Sequence, residues 1–237
     1  MIRTIFVWSC IVFATLVVGS LVVMVYPFDR SGKTGHGLAR LWANVALLAA
    51  GVKVKMEGLD SLDRKGPYIF MSNHQGAYDI FALHGRLPFH FKWLAKKELF
   101  SIPVLGWAMA AAGYIAIDRE GTRDTVRAMN DAAQKIHDGM SVIIFPEGTR
   151  SPDGSIQPFK KGGFTLAIKS KVPIVPLAIV GSREIMPKGR LTVRPGRIRV
   201  RSEPLIETKD CSLRDWKPLM EKVAGAISRG LQQISQK

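Results

Sequence analysis

Cysteine is nearly absent. The two that occur, Cys10 inside an apolar run and Cys211 in a polar stretch, support neither a disulfide framework nor a cysteine zinc site, and this usage fits a reducing compartment. Acidic residues are scarce as well: 19 Asp and Glu stand against 34 Lys and Arg, a formal net charge of +15. Such a balance calls for an anionic partner, which leaves nucleic acid, an anionic membrane surface or a phosphorylated substrate as candidates. There is no G-x-S-x-G elbow, no Walker loop, no G-x-G-x-x-G after the first strand candidate and no cysteine near His74. The usual nucleophile of a covalent intermediate, a nucleotide phosphate loop and a dinucleotide fingerprint are therefore all missing. No internal repeat or low-complexity tract is present.

What is abundant is apolar: 47% of 237 residues, enough for one sizeable domain with a core and a short appendage. Residues 4–28 contain no charged side chain. As a helix they would extend roughly 37 Å, long enough to cross a hydrocarbon layer. The run is longer than the apolar part of a signal peptide, and Tyr26-Pro27-Phe28-Asp29 offers no small-residue cleavage site. A second apolar stretch, residues 38–52, is interrupted only by Arg40. It is too short to span comfortably, so it lies in the interface or packs on the rest of the chain, with Trp42 suited to the headgroup boundary. These features predict a membrane-associated helical segment over residues 1–52 and a catalytic domain over residues 53–237. Residues 4–28 and 38–52 are expected to pack as a helical pair, bent back at residues 27–33, on the cytoplasmic face of a bacterial inner membrane.

After Gly51 short apolar runs bounded by turn residues alternate with longer segments of helical period, which predicts an α/β fold: a mostly parallel central sheet flanked by helices and preceded by the hydrophobic segment. The strand candidates are residues 53–57, 68–72, 91–94, 114–117, 141–145 and 174–180. Several are apolar without alternation, as strands buried on both faces should be. Helix candidates are residues 79–85, 104–112, 122–138 and 163–170. Residues 191–193 and 197–201 flank Pro195-Gly196 like a hairpin, and Leu213, Trp216, Leu219, Val223, Ile227, Leu231 and Ile234 form the stripe of a final helix. The basic run Arg194, Arg197, Arg199, Arg201 lacks interleaved aromatics and reads as a membrane-facing or solvated edge, not as a nucleic-acid reader.

Asn73-His74-Gln75-Gly76-Ala77-Tyr78-Asp79 places a His and an Asp five positions apart just after a strand candidate. On a regular helix these side chains would diverge, so His74 belongs in the strand-to-helix loop, from which it can fold back to Asp79 in the first helical turn. A carboxylate on one ring nitrogen fixes the tautomer and leaves the other free to take a proton, as in a triad without its serine. A chance juxtaposition of the two is the alternative. Phe145-Pro146-Glu147-Gly148-Thr149-Arg150 again follows an apolar strand candidate. Pro146 and Gly148 impose a tight turn, and Arg150 can clamp a phosphate through two N–H donors, although a solvated turn has the same composition. Asp118 and Arg119 follow a third strand candidate. Ligands of a parallel sheet bind beyond the carboxyl ends of its strands, where a base, its carboxylate and two arginines would converge around an anion. His36, His84, His90 and His137 show no ligand spacing and read as surface or packing residues.

In these four blocks, residues 73–79, 113–119, 145–150 and 172–176, the chain resembles the 1-acyl-sn-glycerol-3-phosphate acyltransferases, and the likeness runs over residues 51–185. The resemblance implies transfer of a fatty acyl chain from an acyl carrier protein or coenzyme A thioester to lysophosphatidic acid, giving phosphatidic acid. No metal or resident cofactor is expected, only the acyl thioester as co-substrate. It implies His74 as the base, Asp79 as its orienting carboxylate, Arg119 and Arg150 on the phosphate, and Glu147, Gly148 and Thr149 in the acceptor loop. Lys96 resembles a family lysine near the acyl carbonyl. At position 76 the family commonly has serine where this chain has glycine. Another lysolipid acceptor, or an anionic-lipid-binding membrane protein without turnover, remains the alternative; nucleic acid is not expected as a partner.

Overall fold

The computed structural model describes residues 1–29, 31–117 and 123–236. Helix α1 (Ile2–Val25) and helix α2 (Lys33–Ala50) form an antiparallel hairpin. Asp29 organises the turn between them: its carboxylate accepts the backbone N–H groups of Ser31 and Thr34 at 3.0 and 2.7 Å and so satisfies donors at the start of α2. At the far end the Arg3 guanidinium donates to the Ala50 carbonyl at 2.7 Å, a cation on the last turn of α2. Trp42 is half-buried. Its indole N–H donates to Thr15 Oγ1 at 2.9 Å, and its ring lies 4.9 Å from that of Phe81, because the apolar face of α2 turns inward onto α3 and the sheet.

Among the described residues seven strands form one sheet in the order β1-β7-β6-β2-β5-β3-β4. They are β1 (Val52–Glu57), β2 (Ile69–Ser72), β3 (Phe91–Lys96), β4 (Ile115–Ile117), β5 (Ser141–Ile144), β6 (Ile174–Val180) and β7 (Gly196–Ser202). β2, β3, β4, β5 and β6 all run parallel, so their carboxyl ends share one edge. β2, β5 and β6 are buried on both faces, which explains their continuous apolar runs. One face carries α1, α2 and α3 (Tyr78–Arg86) over a core that includes Leu47, Phe70, Leu83 and Phe91. The other is covered by α5 (Arg123–His137), α6 (Lys161–Ser170) and α8 (Trp216–Ser235), packed around Ile136, Phe164 and Val223. The short helices α4 (Leu105–Ala111) and α7 (Ser182–Ile185) complete the edge above the strands.

The expected hairpin does not form. Residues 191–193 make no strand, and β7 instead pairs parallel with β1 and antiparallel with β6. Nor is the basic run a sheet edge: Arg199 lies 3.2 Å from Glu57, Arg201 3.1 Å from Glu203, and Arg199 also donates to the Ile234 carbonyl at 2.8 Å. Glu57 on β1 and Glu203 just beyond β7 compensate the arginines while Ile198 and Val200 point into the core, so β7 sits inside the sheet.

Candidate active site

The central strand β2 delivers the site. Its last apolar residues, Ile69, Phe70 and Met71, are fully buried, and beyond Ser72 the Asn73 side chain continues the ladder in place of backbone. Asn73 Nδ2 donates to the Ile179 carbonyl at 2.9 Å, and Oδ1 accepts the Ile179 N–H at 2.8 Å. This side-chain bridge to β6 anchors the chain just where His74 leaves the sheet. Four residues later α3 begins, carrying Asp79 in its first turn. Asp79 is fully buried, and one carboxylate oxygen receives three donors: the backbone N–H groups of Gln75 and Gly76 at 2.7 and 2.9 Å and His74 Nδ1 at 2.8 Å. With Nδ1 engaged by a carboxylate, Nε2 is the nitrogen left to exchange a proton.

The plane of the imidazole is fixed from the side. The Phe145 ring stacks on it at 3.9 Å with an interplanar angle of 8°, and Trp93 stacks on Phe145 at 5.7 Å. Trp93 in turn donates its N–H to His84 Nδ1 at 3.0 Å. Burial lowers the pKa of His84 to about 4, so this acceptor is neutral near pH 7.

The loop after β5 closes on the loop after β2. Glu147 is buried and spans them: Oε1 accepts the His74 N–H at 2.7 Å and Oε2 the Gln157 N–H at 2.9 Å. Desolvation nevertheless raises its pKa above the ordinary carboxylate value. A second tie runs from the Ser151 N–H to the His74 carbonyl at 2.7 Å. Gly148 takes a positive φ of 70° to complete the turn that presents Thr149 and Arg150. Gly76 is demanded by packing, since a Cβ there would fall 2.4 Å from the Ser182 carbonyl oxygen at the head of α7. A serine at this position would have to displace α7 backbone.

His74, Gly148, Thr149, Arg150 and Lys96 all line one cavity of about 730 Å³. Lys96 and Thr149 are exposed at its polar end, beside Leu99 and Leu191. Inward the walls are apolar: Val18, Gly19 and Val22 of α1 face Leu105, Ala108 and Met109 of α4, and Ala112 and Tyr114 stand beyond. The compartment therefore joins the His74 imidazole and cationic side chains to a charge-poor chamber able to bury a hydrocarbon chain. Glu147 lies behind this wall, and Arg119 falls outside the described residues. Asn73, Phe145, Trp93, Gln157 and the whole contribution of α1 were not foreseen from sequence; the aromatic in front of Pro146 was the available signal for Phe145. Among the described residues no cluster of three or more His, Cys, Asp or Glu side chains is arranged to hold a metal ion.

Residues 53–180 match the family model described as Acyltransferase. The chain is 40% identical over 164 residues to the chloroplastic 1-acyl-sn-glycerol-3-phosphate acyltransferase BAT2 of Brassica napus, covering 68% of this chain and 47% of that one. It is 38% identical over 176 residues to the chloroplastic LPAT1 of Arabidopsis thaliana, covering 73% and 48%. It thus spans about half the length of these curated relatives. The crystal structure of the 1-acyl-sn-glycerophosphate acyltransferase PlsC from Thermotoga maritima superposes with a TM-score of 0.84 at 26% identity, covering 100% of this chain and 96% of that one.

Proposed function

The chain belongs to the acyltransferase family, and from that premise we propose that it moves a fatty acyl chain from an acyl carrier protein or coenzyme A thioester to the sn-2 hydroxyl of 1-acyl-sn-glycerol-3-phosphate, giving phosphatidic acid. The observation that carries the reading is the His74–Asp79 pair, at 2.8 Å, set where cations meet an apolar cavity. A nucleophile is not needed from the protein, because the acceptor brings its own hydroxyl.

In this mechanism His74 Nε2 removes the hydroxyl proton as the oxygen attacks the thioester carbonyl. Lys96, at the cavity's polar end, meets the developing oxyanion. When the C–S bond breaks, the imidazolium returns the proton to the departing thiolate. Asp79 stabilises that imidazolium and holds its ring. Arg150, joined by Arg119, binds the acceptor phosphate, for which a guanidinium fork is suited. Gly148 and Thr149 shape the acceptor loop, while Glu147, with both oxygens committed to backbone N–H groups, serves it by holding the loop against His74. The acyl thioester is a co-substrate and no resident cofactor enters the scheme. The lipid partners place the protein at a membrane, and the cytoplasmic face is where soluble acyl thioesters meet it. The apolar surface of α1, which carries no charge after Arg3, supports association with a membrane.

The test is direct: the purified full chain is incubated with lysophosphatidic acid and either palmitoyl-coenzyme A or palmitoyl-acyl carrier protein, and the lipid products are resolved by mass spectrometry. Phosphatidic acid is expected from at least one donor and none from His74→Ala. Arg150→Lys should raise the acceptor KM and leave the donor KM close to its original value. Failure of both donors sinks the reading, and preference for lysophosphatidylcholine over lysophosphatidic acid would move it to another lysolipid.

A further inference from the structure

The segment between β3 and β4 leaves the sheet as a 3-10 turn over Lys97–Ser101, continues into α4 and lies against α1. The contact is close: a Cβ on Gly19 would sit 2.8 Å from Val104 Cγ1 and 3.7 Å from the Ala108 methyl. The segment is also tightly folded on itself, since a Cβ on Gly106 would lie 2.1 Å from the Phe100 carbonyl oxygen. Yet its outer surface is apolar. Ile102 is 42% exposed and Trp107 60%, and neither lines the cavity. The helix the segment touches, α1, also exposes Phe13, Leu16 and Met24, within a stretch that has no charge from residue 4 to residue 28. The seam between the two helices roofs the cavity, with Gly19 on one side and Ala108 on the other.

We propose that residues 97–107 are a second membrane-seated element: Ile102 and Trp107 enter the bilayer interface beside α1, so that the seam between α1 and α4 faces lipid and a lysophospholipid chain passes into the cavity without crossing water. The occupant of this face is an anionic bilayer. Tryptophan favours the headgroup boundary, the two touching helices both expose apolar side chains, and the net charge of +15 has the sign that anionic headgroups attract. A rigid apolar patch of this kind on a soluble surface would instead be an association liability. The inference rests on the acyl-transfer reading for the meaning of the seam, but its physical content is separable.

The experiment uses the full chain and vesicles of phosphatidylethanolamine and phosphatidylglycerol. Lipids brominated in their acyl chains are expected to quench a component of the tryptophan emission that is missing in Trp107→Phe. The double variant Ile102→Lys/Trp107→Lys is expected to turn over vesicle-borne lysophosphatidic acid about tenfold more slowly, the scale of losing one large apolar side chain from lipid. Its turnover of a short-chain lysophosphatidic acid dispersed as monomers should stay unchanged, which also shows that it is folded. Equal quenching in the wild type and Trp107→Phe, or unchanged vesicle turnover in the double variant, overturns the proposal. So does cross-linking of two copies through Trp107→Cys on vesicles, which would make this face an interface between chains. Absence of any transfer by the wild type would remove the functional reading while the quenching still decides this one.

Discussion

Three N–H donors converge on a single oxygen of Asp79, two of them from backbone, so this carboxylate builds the loop as well as orienting the base. Asp79→Asn separates the two roles. Its amide oxygen can still accept the Gln75 and Gly76 N–H groups, but it no longer stabilises an imidazolium or enforces the Nδ1–H tautomer. Turnover is expected to fall by about 10²–10⁴-fold with a nearly unchanged melting temperature, measured by product formation and circular dichroism. Position 76 gives the reverse pattern. Gly76→Ser introduces a Cβ 2.4 Å from the Ser182 carbonyl oxygen, which is overpacking against backbone. A loss of about 1–3 kcal/mol of stability is expected together with lower activity. A variant that melts as the wild type does would show that α7 yields freely.

At the scale of elements, the sequence carries much of the fold. β2, β5 and β6 are continuous apolar runs because both of their faces are covered, and the His74 and Glu147 loops could be placed because each follows such a run. The hairpin expectation fails because Pro195-Gly196 is a local turn signal, whereas the partners of β7 lie far away in sequence and are chosen by Glu57 and by the core positions of Ile198 and Val200. The wall that α1 gives to the cavity was equally invisible: a helix apolar on every side carries no mark of which face meets protein. That wall sets an expectation for chain length. Ala108 faces the cavity opposite Gly19, so Ala108→Phe should fill part of the chamber. The product mixture, read by mass spectrometry after competition between acyl-coenzyme A donors, is expected to shift towards shorter acyl chains. An unchanged chain profile at normal turnover would mean that the acyl chain lies elsewhere.

For the whole molecule, the joint between the helical hairpin and the sheet holds buried imidazoles, and these tie its stability to pH. His36 on α2 packs against His84 of α3 at 4.7 Å and Phe91 of β3 at 4.8 Å. Burial holds His36 down to about 2 and His84 to about 4, against an ordinary value of 6.5. The unfolded chain therefore binds protons that the folded chain refuses. The stability these neutral rings allow is present above pH 6.5 and drains away as pH falls from there to about 4 for His84 and towards 2 for His36, at about 1.4 kcal/mol per pH unit per imidazole once fully in the window. Glu147 opposes this, since its raised pKa favours the folded state as it takes a proton, but one carboxyl stands against two imidazoles. The net expectation is a melting temperature that drops steadily between pH 7 and pH 5, with α1 and α2 loosening from the sheet first. His36→Phe keeps an aromatic ring in the joint and removes one titrating group, so thermal melts followed by circular dichroism should show a shallower pH dependence than in the wild type. Parallel curves for the two proteins would place the acid sensitivity outside this joint.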